Sequence, residues 1–284
     1  MKLATYKDGS RDGQLVVVSR DLRRAHFASA VCGRLQAALD DWNFLSPQLE
    51  DLSATLNQGK ARHAFPFDPR LCMAPLPRAY QWARADGGGD SEPAMRQSAG
   101  DELLGPTDDA RFAGEAPGVD AEAGVAVIAG DLALGATAAQ GIAAVRLLLL
   151  VQVWQLRVAG AAPIDAASAF SPVAVTADEL GPAWHGGRLH LPLRIERVGP
   201  RAAQVDAAAM PFHFGQLLAR LASARRVRAG SIVGSGPLGD PAAAERAPAA
   251  SGALHFGDRL RIDVADADGN SVFGAIEQTV AREP

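Results

Sequence analysis

The sequence predicts an α+β fold rich in strands, on three observations. Short apolar or alternating stretches outnumber helical ones. Helix-period segments are few and brief. The strands do not alternate regularly with helices, as a doubly wound parallel sheet requires. The chain has 284 residues, 48 % hydrophobic and 21 % charged, enough for one large domain or two modest ones.

The first predicted strand is Gln14–Ser19, after a turn at Asp12 and Gly13. Val31, Leu35, Leu39 and Trp42 recur at helical spacing and predict a helix. A second helix is expected from Ser46 and Pro47, with serine as cap and proline in the first turn. Its stripe is Leu49, Leu52 and Leu56, and Asn57, Gln58 and Gly59 end it. The proline-rich stretch 64–77 reads as an extended connector. It divides the chain into an N-terminal part, 1–73, and a larger part, 74–284. Residues 84–108 are polar and glycine-rich without periodicity, so a mobile loop is expected.

Order returns with a strand at Gly124–Ile128. Thr137 and Gln140 have capping-box spacing and open a helix through Ile142 and Val145. Leu147–Trp154 is too apolar for a half-exposed helix and predicts a buried strand. Phe170–Val175 and His190–Ile195 are further strands. Phe212–Leu221 is a helix with Phe214, Leu217, Leu218 and Leu221 inward. Arg259–Val264, a turn at 266–270 and Ser271–Val280 form a hairpin.

A net charge of −4 argues against nucleic acid as a partner. The longest strongly apolar run, Leu147–Val151, is far below the roughly 20 residues a membrane helix needs. The N-terminus lacks the apolar core of a signal peptide, so a cytoplasmic protein is expected. Cys32 and Cys72 are read as small buried hydrophobes in a reducing compartment.

No Gly-x-Ser-x-Gly elbow or phosphate loop is present, and the six histidines have no metal-ligand spacing. Gly234, Ser235 and Gly236 read as a strand running into a tight turn, and His213 as a capping residue. Glu122, just ahead of a strand, is the acid best placed to face a site; an exposed strand-end carboxylate is the commoner reading.

Several segments are worded like a known family: Met1–Leu22, Ala64–Pro69, Met73–Trp82, Ala169–Gly181, Phe212–Leu217, Arg228–Gly236 and Phe273–Gln278. Over nearly its whole length the chain resembles fumarylacetoacetate hydrolase (FAH) family proteins. The resemblance implies a strand-rich FAH-like domain, a mixed β-sandwich or roll, behind a small N-terminal domain, usually as a homodimer. It also implies a divalent cation held by carboxylates, a histidine–glutamate pair that activates water, and a lysine that stabilises the leaving carbanion. Hard oxygen ligands suit magnesium or calcium, and the cation polarises the substrate's dicarbonyl oxygens.

The sequence departs from that pattern at the site. The family's Glu-x-Glu pair falls on Glu122, Ala123 and Gly124, so the second carboxylate is missing. A ligand aspartate falls on Val153, the lysine on Asp165 and a threonine on Pro237. No histidine lies between His63 and His185. The expectation is a protein without metal or other cofactor, repurposed for cyclisation, dehydration or decarboxylation of a β-keto or polyketide-like small molecule. Glu122 and Asp165 would share acid and base roles, their mutual repulsion raising one pKa. Arg157 would grip a carboxylate or enolate. Gln152, Gln155, Trp154, Tyr80 and Ser235 complete the expected substrate-binding set. An inactive binding or partner protein is the alternative, and a genuine metal-dependent hydrolase of β-diketo acids the second.

Overall fold

From Lys2 to Phe27 the chain makes three strands, β1 (Lys2–Tyr6), β2 (Gln14–Val18) and β3 (Arg24–Phe27), then helices α1 (Leu35–Asp40) and α2 (Trp42–Asn57). After β4 (Phe65–Pro66) come β5 (Trp82–Gly88), β6 (Pro93–Ser98), β7 (Ala110–Phe112) and β8 (Val119–Ala129). Helix α3 (Ala138–Ala143) leads into β9 (Val145–Val158), β10 (Ala161–Phe170) and β11 (Ala174–Val175). Next come β12 (Trp184–His185), β13 (Arg188–Leu189), β14 (Pro192–Arg197) and β15 (Ala202–Asp206). Helix α4 (Phe214–Ala222), β16 (Ser231–Gly234), β17 (Arg259–Val264) and β18 (Ile276–Arg282) complete the chain. The computed structural model describes residues 1–88, 92–115, 118–158, 160–197, 202–238 and 254–284.

Among the described residues the main sheet runs β4-β3-β2-β1-β11-β9-β8-β16-β5-β6, with β10 also paired to β9. The pairing is antiparallel except between β16 and β5. A second sheet runs β15-β14-β17-β18-β7. Strand β1 pairs with β11, so the N-terminal strands share the main sheet with the rest of the chain.

The apolar run from Leu147 is buried on both faces, which is why it reads as continuous rather than alternating. One face of the sheet packs under Phe214, Leu217, Leu218 and Leu221 of α4. Burying each such side chain contributes about 2 kcal/mol. The other face packs under Leu35, Leu39, Leu49 and Leu56 of α1 and α2. Both helices carry one apolar stripe, as amphipathic spacing demands. The capping box at Thr137 is present.

Strand β1 was not expected, Val31 and Val145 fall outside α1 and α3, Glu122 lies inside β8 rather than ahead of it, and the strands expected at 190–195 and 271–280 start at Pro192 and Ile276. Three further differences have a clear physical reason. Helix α2 starts at Trp42, not at Ser46, and carries Pro47 inside it. Asp41 accepts from the N–H groups of Phe44 and Leu45. Pro47 therefore forfeits one bond, to the exposed carbonyl of Asn43, and burial of Ser46 and Leu49 outweighs that loss. The stretch 170–175 is broken between β10 and β11, where Pro172 has no N–H for a ladder. The largest difference is at 84–108. Trp82–Gly88 and Pro93–Ser98 form a two-stranded unit paired with β16, where a mobile loop was expected. Residues 89–91 lie outside the described residues. The reason is burial: Trp82, Ala83, Arg84 and Ala85 are all inside the protein.

Candidate functional site

The β8–β9 register places Glu122 opposite Val153 and Asp120 opposite Gln155. Asp165 on β10 faces Gln155 from the other side. Successive side chains alternate faces, so Glu122, Val153, Gln155 and Asp165 share one face near the start of β8. Arg84 reaches them from β5, held there by the parallel pairing of Gly234 with Arg84. That pairing needs Gly234: a Cβ there would lie 2.6 Å from the Trp82 ring.

Arg84 is the centre of this cluster, and its side chain is only 2 % exposed. Its Nε donates to Asp165 Oδ2 at 3.1 Å and its Nη2 to Asp165 Oδ1 at 2.7 Å, a bidentate fork. Its Nη1 lies 2.8 Å from Glu122 Oε2 as an ion pair, off the line of a true hydrogen bond. Ser98 Oγ donates to Asp165 at 2.7 Å and Gln155 Nε2 at 2.9 Å. Arg96 Nη1 stands 3.8 Å from Asp165, while its Nη2 pairs with Asp86 at 3.0 Å.

The two carboxylates behave differently. Burial alone would raise Asp165. The hydrogen bonds from Arg84, Ser98 and Gln155 outweigh it and hold the carboxyl at about 2. Glu122 is pushed up, chiefly by burial, against the pull of Arg84 and with some help from Asp165. Their split follows from unequal hydrogen bonding more than from mutual repulsion. Asp165 is anchored, and Glu122, with its side chain 28 % exposed, is the more accessible acid.

The other expected residues divide. Gln155 joins the cluster by bonding Asp165. Arg157 lies on the same face but pairs with Asp120 at 2.8 Å, rather than with Glu122 or Asp165. Gln152 and Trp154 alternate to the opposite face, across from Ala123 and Ala121. Gln152 is fully buried there with both amide atoms unpartnered. Trp154 is buried against Phe112 and donates to Gln278 at 2.6 Å, a structural bond. Ser235 is structural too: its Oγ accepts the Val125 N–H at 3.2 Å and donates to the Gly236 carbonyl at 2.7 Å. Tyr80 is 70 % exposed and lines a separate cleft of about 700 Å³ with Asp12, Arg34, Pro77 and Asp101. Arg84, Ser98 and Arg96 were missed because their stretch reads as loop.

The donor set does not fit the divalent cation that the family pattern implies. Glu122 and Asp165 are turned onto Arg84. Val153 offers no oxygen and is buried among apolar side chains. Position 124 has no room for a carboxylate: a Cβ there would meet the Gly236 carbonyl at 2.6 Å and Ser235 Oγ at 2.9 Å. Among the described residues, no three His, Cys, Asp or Glu side chains come together in a metal-holding group. Also among the described residues, no helix is long and apolar enough to cross a membrane.

Two family patterns match the chain. Residues 1–78 match the fumarylacetoacetase N-terminal domain 2, and residues 83–281 match the fumarylacetoacetate (FAA) hydrolase C-terminal domain. No curated protein matches in sequence. Among solved structures, the chain is similar to maleylpyruvate hydrolase from Sphingobium sp. SYK-6 in complex with manganese(II) and pyruvate. That match has a TM-score of 0.73 and 16 % identity, and it covers 100 % of both chains. It is also similar to fumarylacetoacetate hydrolase from the psychrophilic Exiguobacterium antarcticum (TM-score 0.69, 14 % identity, 100 % of both chains). A third is 5-carboxymethyl-2-hydroxymuconate delta-isomerase from Mycobacterium smegmatis (TM-score 0.66, 14 % identity, 100 % of both chains). At these identities the likeness establishes the fold.

Proposed function

The chain belongs to the fumarylacetoacetate hydrolase family, and from that premise we propose that it binds a small keto or enol acid without a divalent cation and without hydrolysing it. The observation that carries this reading is the Arg84 bridge. Both carboxylates of the cluster, the retained Glu122 and the new Asp165, are paired to one buried guanidinium. Hydrolysis needs a water-activating base, and no histidine stands in the cluster. Asp165 is too acidic and too fully bonded to take that role.

A second reading has its own observation. Glu122 is raised and partly exposed, so one proton-transfer group remains at the edge of the site. It supports decarboxylation or dehydration of a β-keto acid by a single acid, in place of the two-carboxylate division expected from sequence. The homodimer remains a proposal carried by family membership.

The experiment is a titration of pyruvate, oxaloacetate and a short acylpyruvate against the protein, with product analysis on the same samples. Binding without turnover is the expected result. Turnover lost about a hundredfold in Glu122→Gln would install the second reading. Cleavage of the acylpyruvate carbon–carbon bond would overturn both.

A further inference from the structure

We infer that Arg84 is a built-in cation, its guanidinium standing among Glu122, Asp165, Ser98 and Gln155 where the family pattern calls for a divalent ion. The inference rests on the metal-free reading above and goes further, assigning a residue to the missing charge.

The arrangement is that of a coordination shell turned onto nitrogen. Three carboxylate oxygens lie within 3.1 Å of the guanidinium: Glu122 Oε2 at 2.8 Å, Asp165 Oδ1 at 2.7 Å and Asp165 Oδ2 at 3.1 Å. The Ser98 hydroxyl and the Gln155 Nε2 amide group donate to Asp165 and hold it in place. Two carboxylates converging in this way suit a hard cation. Here they surround a planar one, which is always charged and needs no dehydrated ion. A second arginine lies close by: Arg96 stands 3.8 Å from Asp165 and is shared with Asp86 at 3.0 Å. The acid at position 165, where the family pattern has lysine, completes the logic. With a fixed arginine inside the site, a second amine would repel it, whereas an aspartate pins it.

Removing Arg84 leaves Glu122 and Asp165 facing each other with their counter-charge gone, and a small residue at 84 leaves the space open. Such a pair favours a bound cation or a shared proton. Manganese(II) alone is the probe, read by thermal unfolding and by calorimetric titration. The wild type is expected to show no shift with manganese. Arg84→Ala is expected to melt lower. It should recover about 5 °C at a hundredfold excess of manganese over its Kd. The recovery should vanish when Glu122→Gln and Asp165→Asn are added. If Arg84→Ala folds only when manganese is supplied, that supports the inference as well. A folded Arg84→Ala that ignores manganese overturns it, as does a response that survives the two further substitutions. So does an Arg84→Ala that manganese cannot rescue while the neutral triple variant Arg84→Met/Glu122→Gln/Asp165→Asn folds. Manganese binding by the wild type, lost in Glu122→Gln, would instead overturn the metal-free reading itself.

Discussion

Asp165→Asn should be among the most damaging single-atom changes in the protein. It removes one formal charge from a side chain that accepts from Arg84, Ser98 and Gln155. A carboxyl held at about 2 instead of 3.8 has its charged form favoured by nearly two pKa units. At 1.36 kcal/mol per unit this is about 2 kcal/mol. Leaving the buried Arg84 half-paired raises the cost toward about 3–5 kcal/mol. For a chain of this length that lowers the melting point by roughly 5–12 °C at pH 7. The folded pKa is depressed, so the stabilisation is present above the unfolded value near 4 and is lost as pH falls through about 2. The gap between wild type and Asp165→Asn should therefore shrink steadily below pH 4. Urea unfolding of both proteins at pH 7, 5, 4 and 3 measures it. A gap under about 1 kcal/mol at pH 7, or one that stays constant down to pH 3, would refute the reasoning.

Glu122→Gln should behave oppositely. Because burial raises Glu122, the neutral isostere should cost under about 1 kcal/mol at pH 7, checked in the same urea series. Gln152→Met should be neutral or stabilising by up to about 1 kcal/mol, since both amide atoms are buried without partners. It should leave small-molecule affinity unchanged, checked by melting and ligand titration. Ser235→Ala removes the acceptor for the Val125 N–H and should cost about 1–2 kcal/mol, read by thermal unfolding. Light scattering should give twice the chain mass of 29.6 kDa for the expected homodimer.

Much of the fold was legible because apolar periodicity encodes burial. Leu147–Trp154 reads as a buried strand since both its faces are covered, and the α4 stripe reads inward because its spacing follows the helical turn. The site was only half legible. Grouping Gln152 and Gln155 as one pocket ignored the period of two, which puts them on opposite faces of β9. Trp154 and Ser235 carry polar atoms that long-range contacts with Gln278 and Val125 use up, and no local signal announces such partners. Arg84 was hidden by its surroundings, because glycines and acids at 86–90 make the whole stretch read as loop. Two signals pointed to it. The small residues Ala83 and Ala85 flank it as in a buried strand, and the acid at position 165, in place of a lysine, needs a new positive partner.

In the metal-free reading proposed above, a fixed internal charge replaces metal-assisted hydrolysis at this site. The most direct test is the ultraviolet absorbance of an acylpyruvate enol, followed with wild-type protein in excess manganese(II) and again after chelation. No loss of absorbance above the buffer rate is expected in either condition. Manganese-dependent loss of the enol signal, abolished by the chelator and by Glu122→Gln, would contradict that reading.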